Sequence, residues 1–182
     1  NGILKTEDKK RHPGHALHGC IIKDDAAAIF EKIEEANVVI FGTPVYILGV
    51  SSQLKILIDR MRYMVHHNCL RWTVGVGIAQ AYYQHGGQET TLVDISNAMR
   101  ALNMVVVGMG LGGAGVSGPS IGGPTPWEDD GKIAAVEKDS WSMKTAWWTG
   151  RIAAEMARVI KTGLENVPKE RLEKFWPQPH VG

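Results

Sequence analysis

Cysteine is scarce in this chain: Cys20 and Cys69 are the only two in 182 residues. That is too few for a disulfide framework and favours a reducing compartment. No run of 18 apolar residues occurs, so no membrane-spanning helix is expected, and the first residues lack the charged-then-apolar pattern of a secretory signal. Neither sign of charge dominates. Twenty Lys and Arg against 19 Asp and Glu leave a formal net charge of +1, with a sequence pI of about 8.0. A broad electrostatic footprint for nucleic acid therefore has little support. The expectation is a soluble cytoplasmic protein with no nucleic-acid and no membrane partner. A chain of 182 residues suffices for one domain with a real core and is short for two. A single domain spanning 1–182 is expected, with 164–182 as a tail.

What the chain does have is one well-organised stretch, Asn37 to Met64. Asn37-Val38-Val39-Ile40-Phe41-Gly42 is a short apolar run rich in β-branched residues, as expected for a strand covered on both faces. From Leu54 the period changes. Leu54, Leu57, Ile58, Met61, Met64 and Val65 share one helical face. Between them lies Thr43-Pro44-Val45-Tyr46-Ile47-Leu48-Gly49-Val50, read as a loop outside the carboxyl end of the strand, where open α/β sheets bind ligands.

The rest of the chain repeats the alternation. Residues 25 to 36 read as a helix begun by Asp24 or Asp25. Trp72 to Ala79 reads as a strand whose glycines imply close approach of a neighbour or ligand. Gln80 to Glu89 follows as a loop, then Leu92, Ile95, Met99 and Leu102 return at helical spacing, and Met104 to Gly108 forms the next strand. Helix and strand in turn predict a parallel sheet with helices on both faces. A final helix is expected from about Ser140 to Thr162, with Gly163 as its stop signal.

Two further motifs carry chemistry in principle. Gly108-x-Gly110-x-x-Gly113 follows a strand and formally matches a dinucleotide fingerprint. The GVSGPSIGGPTP segment after it cannot start the helix that such a site needs, so residues 108 to 139 are expected to form a long connection. His12, His15, His18 and Cys20 are spaced closely enough to hold Zn²⁺ or a similar metal. Three histidines and one cysteine without a second ligand pair are not a common structural zinc pattern, and no metal ligand is assigned.

Several of these segments together resemble a known group. Cys20-x-x-x-Asp24-Asp25 ahead of a helix, Ala36 through Tyr46, and Gln53-Leu54-Lys55 followed by Ile58-Asp59-Arg60 look like the flavodoxin-like NAD(P)H-dependent FMN reductases and the related iron-sulfur flavoproteins. Gln84-His85-Gly86-Gly87-Gln88-Glu89-Thr90-Thr91-Leu92 is similar to a loop of the type IV NAD(P)H:quinone oxidoreductases. The resemblance covers roughly residues 18 to 163. It implies an α/β, doubly wound flavodoxin-like sheet of strand order 2-1-3-4-5, with FMN as cofactor and NADH or NADPH as co-substrate. It also implies an enzyme passing electrons to a quinone or similar small acceptor, and a homodimer or homotetramer.

The same resemblance assigns the site. The loop from Thr43 to Gly49, including Pro44, Val45, Tyr46 and Ile47, would lie along the isoalloxazine ring, and the loop from Gln80 to Gly87 would border it from the next strand. Pro44 would fix the loop, and Tyr46 would lie against the ring. Gly86 and Gly87 would allow contact where a Cβ would clash, and His85 would donate to a quinone oxygen or steady charge on the reduced flavin. Plain packing for Tyr46 and a surface position for His85 are the simpler alternatives. Asp59-Arg60 reads as a structural ion pair or a subunit contact.

The pattern departs from the family in two places. No strand and phosphate-binding loop precede Asn37, and Ile3-Leu4 can at best end the second strand. Asn1 is therefore expected to lie partway along a longer polypeptide. A [4Fe-4S] cluster requires four cysteines where only Cys20 stands, so none is expected. An electron-transfer protein without its own NAD(P)H site, or a non-catalytic or metal-binding relative, are the alternative functions.

Overall fold

The computed structural model describes residues 22, 24–66, 68–81, 86–108, 115–119, 140–168, 170 and 171. The first helix, α1 (Ala26–Glu35), is followed directly by the long strand β1 (Val38–Tyr46). A turn leads to β2 (Gly49–Val50), then come α2 (Ser52–Arg60) and the short α3 (Arg62–His66). Next are β3 (Val74–Ala81), α4 (Gln88–Ala101), β4 (Val105–Val106), β5 (Gly115–Pro119) and the 26-residue α5 (Ser140–Glu165).

β3 lies at the centre of the described sheet. It pairs in parallel with β1 from Val38↔Val74 to Pro44↔Gln80, and on its other side with both β4 and β5. Those two segments fill a single lane: Gly75 faces Val106, and two residues further on Gly77 faces Gly115. Unbroken continuation of β4 would have brought Gly108 opposite Gly77. The lane therefore resumes seven residues later in sequence. β2 pairs antiparallel with the end of β1, so the sheet is mixed. Among the described residues, no strand pairs with the edge of β1 opposite β3 between Val38 and Pro44.

Alternation along the strands sorts residues to two faces. One face carries Val39 and Phe41 into a core shared with Phe30 of α1, Met61, Met64, Leu70, and Ile95 and Met99 of α4. The other carries Val74 and Val76 against Ala153, Ala157 and Ile160 of α5. Helices thus lie on both faces of β3, but the strand expected to be covered on both faces, β1, is covered on one along most of its length: Ile40, Gly42, Pro44 and Tyr46 are exposed, because α5 packs over Val74 and Val76 and does not reach across them. Gly75 shows why β3 holds glycines: a Cβ there would lie 2.6 Å from Met99 Sδ and 3.1 Å from Met104 Cε. α4 packs against the strand where no side chain fits.

The structure corrects several sequence boundaries. Thr43 to Tyr46 continue β1 and are not loop. Gln80 and Ala81 likewise extend β3. The helix expected from Leu54 is broken at Met61, whose N–H bonds to Ile58 O, yet the apolar stripe survives the break, with Met61 and Met64 fully buried. β5 falls inside the expected long connection; most of that connection, like most of the 164–182 tail, lies outside the described residues. No helix among the described residues is long and apolar enough to cross a membrane.

Candidate functional site

β1 and β3 end side by side at the carboxyl edge, with Thr43 in register with Ala79 and Pro44 with Gln80. Past that edge, β1 turns back on itself within two residues, since Tyr46 pairs with Gly49. The two residues between them, Ile47 and Leu48, both adopt positive φ, 48° and 61°. Such turns match the twist of a hairpin but normally carry Asn or Gly. A β-branched or bulky residue there is strained, at about 1–3 kcal/mol for each position. Ile47 is also fully exposed, and Leu48 is exposed. An apolar, strained tip thus stands at the edge where the two strands finish.

The tip is held from α4. Thr90 Oγ1 lies 3.0 Å from Leu48 O and 3.0 Å from Gly87 O. Gly87, the N-cap residue of α4, has φ +97°, and a Cβ on it would lie 2.6 Å from Leu48 Cα. The backbone of the turn therefore presses directly on the backbone that starts α4. The two loops singled out in the sequence meet here, at Leu48 and Gly87.

Behind the tip, Thr43 and Ser51 are buried and tie β1 to α2. Ser51 N–H donates to Thr43 Oγ1 at 3.2 Å, and the two hydroxyls are 3.0 Å apart. Thr43 Oγ1 also lies 2.8 Å from Pro44 O, and Ser51 Oγ accepts from Leu54 N–H at 3.4 Å. Ser51 caps α2 in the usual manner of a serine one residue before a helix. A cleft of about 380 Å³ opens in front, between Gly42, Pro44 and Tyr46 of β1 and Ser51, Gln53, Leu54 and Leu57. Its volume lies within the usual range for small-molecule sites. Ile40, on the same face of β1 as Gly42 and Pro44, is 53% exposed.

Pro44, Tyr46, Ile47, Gly49, Gln80 and Gly87 are thus gathered around the ends of two adjacent strands, with Tyr46 62% exposed. Val45 pairs with Val50, and Gly86 lies one residue before the Gly87 cap. Gln80 Nε2 is buried and has no hydrogen-bond partner among the described residues. His85 lies outside the described residues, as do His12, His15, His18 and Cys20; among the described residues no cluster of potential metal ligands occurs. The side chain of Thr43 faces inward and serves the hydroxyl tie.

Leu48 falls within the Thr43–Gly49 loop expected along the ring but without a role of its own, and Ser51 and Thr90 lie outside both loops assigned from sequence. Ser51 carried a readable signal, a capping residue just ahead of an apolar-periodic segment. Leu48 and Thr90 carried almost none, because Ile-Leu is not a turn dipeptide. Asp59 and Arg60 do not pair with each other. Asp59 pairs with Lys55, and Arg60 makes two 2.8 Å bonds to Asp24 and lies over the Phe30 ring. The Arg60 guanidinium holds the Asp24 carboxyl below the usual carboxylate range, with help from Ala26 N–H, which bonds it at 3.1 Å. That carboxylate fastens α1 to the end of α2.

Comparison with known proteins places these features in context. A family model described as NADPH-dependent FMN reductase matches residues 4–115. An iron-sulfur flavoprotein of Methanocaldococcus jannaschii is 45% identical over 89 residues, covering 49% of this chain and 46% of the relative. An NAD(P)H dehydrogenase (quinone) of Trichlorobacter lovleyi is 32% identical over 82 residues, 45% of this chain and 40% of the relative. The chain spans about half the length of the curated relatives it matches. Among solved structures, a WrbA-like flavodoxin from Agrobacterium tumefaciens superposes with a TM-score of 0.53 at 20% identity, over 73% of this chain and 71% of that one. The fold is therefore flavodoxin-like.

Proposed function

Because the chain belongs to the NADPH-dependent FMN reductase family, we propose that it binds FMN at the carboxyl edge of β1 and β3 and works as an FMN-dependent oxidoreductase. Hydride comes from NADH or NADPH, and electrons leave to a quinone or a similar small acceptor. The observation that carries this reading is the meeting of the Ile47–Leu48 turn with Gly87, which brings the two loops together at the carboxyl edge of β1 and β3.

The residues present suit a flat ring that is apolar on its faces and polar along one edge. Gln80 Nε2 is a buried donor without a partner among the described residues, the kind of group a carbonyl or ring nitrogen of such a ligand would satisfy. Tyr46, Pro44, Ile47, Gly49, Gly86 and Gly87 would hold the ring, with Tyr46 and Ile47 offering exposed apolar surface and the glycines allowing close approach. Thr43 and Ser51 act from beneath, fixing the end of β1 against α2. When bound, FMN supplies the hydride and electron chemistry. The chain supplies a rigid position for donor and acceptor and keeps water off the ring with apolar side chains. His85 would donate to the acceptor oxygen.

Purified protein is expected to be yellow, with flavin bands in the near-ultraviolet and blue, and to reduce a quinone when NADH or NADPH is added. A colourless protein that takes up no added FMN rules the reading out.

A further inference from the structure

Thr90 has one hydroxyl hydrogen and two carbonyl acceptors at equal distance, Leu48 O and Gly87 O, each 3.0 Å away. The Gly87 carbonyl already accepts from Thr91 N–H at 3.0 Å as α4 begins. The Leu48 carbonyl belongs to a turn whose two residues are both strained. A hydrogen bond is worth most where the alternative is loss of a costly conformation. Ile47 and Leu48 cannot rest at positive φ on local preference, since left-handed backbone disfavours both side chains. Something outside the turn must hold it. Among the described contacts from the start of α4, the close approach of Gly87 is steric and only limits where the turn can go, whereas the Thr90 hydroxyl is attractive.

We propose that Thr90 is a positioning residue of the flavin site: its hydroxyl, by holding the Leu48 carbonyl to the first turn of α4, keeps the Ile47–Leu48 turn in its left-handed form before any ligand arrives. The inference rests on the FMN reading above and names a determinant of that site outside the two loops assigned to the ring. Without the hydroxyl the turn relaxes toward conformations in which Ile47 and Leu48 have negative φ. The apolar wall then has to be rebuilt when the ring binds, and its cost is subtracted from affinity. The residue touches no ligand; it acts through Leu48.

The test compares wild type with Thr90→Val, which keeps the side-chain shape, and Thr90→Ser, which keeps the hydroxyl. Three readouts are taken: FMN dissociation constant by fluorescence titration, thermal midpoint without FMN, and amide hydrogen exchange of Ile47 to Val50 in the FMN-free protein. The expected result is that Thr90→Val weakens FMN binding about tenfold, the order of a single hydrogen bond's net worth, and speeds exchange in the turn. Thr90→Ser should restore both, with the midpoint little changed across the series. Wild-type affinity in Thr90→Val, or a loss that serine does not rescue, overturns the proposal. If wild type itself binds no FMN, the flavin reading fails and this proposal with it. Exchange that stays wild-type in Thr90→Val while FMN binding is intact in the parent sinks the clamp alone and leaves the flavin reading standing.

Discussion

Replacing Gly87 with alanine tests the joint between the two loops most directly. The added Cβ would sit 2.6 Å from Leu48 Cα and 3.0 Å from both Leu48 C and Leu48 O. Every one of those atoms is backbone, so no flexible side chain can swing aside. The position also has φ +97°, where an L-residue costs about 1–2 kcal/mol. Overpacking of this kind adds about 1–3 kcal/mol. The total, about 2–5 kcal/mol, corresponds to a fall in thermal midpoint of at least about 5 °C for a chain of this size. A matched control is Gly150→Ala on α5, where a Cβ meets nothing within 4 Å. Helix propensity there favours alanine by about 0.8–1.0 kcal/mol, so the midpoint should rise by a few degrees. Circular-dichroism melts of the two variants beside wild type decide the matter. A Gly87→Ala protein that melts within about 1 °C of wild type would show that α4 does not press on the turn as described.

Gly75→Ala should destabilise by about 1–3 kcal/mol through collision with Met99 Sδ; combined with Met99→Ala it should cost less than the two single changes summed, a coupling that urea titration of the double-mutant cycle measures. The Asp24 carboxylate contributes stability in full above the ordinary aspartate pKa of about 3.9, and that contribution drains away as the pH falls through its lowered folded value. The gap in thermal midpoint between wild type and Asp24→Asn should accordingly be constant near neutrality and narrow only in strong acid; a gap that narrows between pH 7 and 5 would contradict the Arg60 pairing.

The alternation of helix and strand was readable because buried parallel strands and amphipathic helices have different apolar periods, and Val38 to Phe41 and Leu54 to Val65 display both without ambiguity. The gathering of Pro44, Tyr46, Gln80 and Gly87 was readable for a related reason. Adjacent parallel strands bring their carboxyl ends together whatever the loops contain. The hairpin was not. Ile47-Leu48 has none of the turn chemistry that marks a two-residue reversal, and its conformation is imposed by α4, a contact across more than 40 residues of sequence. Thr43 stands at the strand end, where its side chain is turned inward to Ser51 by the alternation of β1, a direction set by the register of the strand and not by its residue type. Pairing of Arg60 with Asp24, not with Asp59, follows from where α1 lies, and sequence neighbours on one helix gave no hint of it.

The lane beside β3 that is filled first by Val105–Val106 and then by Gly115–Pro119 gives the fold a splice point. The chain leaves the ladder and rejoins it in the same direction, against the same partner, with the rungs on either side already fixed by β3. Residues added or removed between those two segments change neither register, and the entropy of closing the detour grows only as the logarithm of its length. A change in the number of residues between the two segments would therefore leave both registers against β3 as they are.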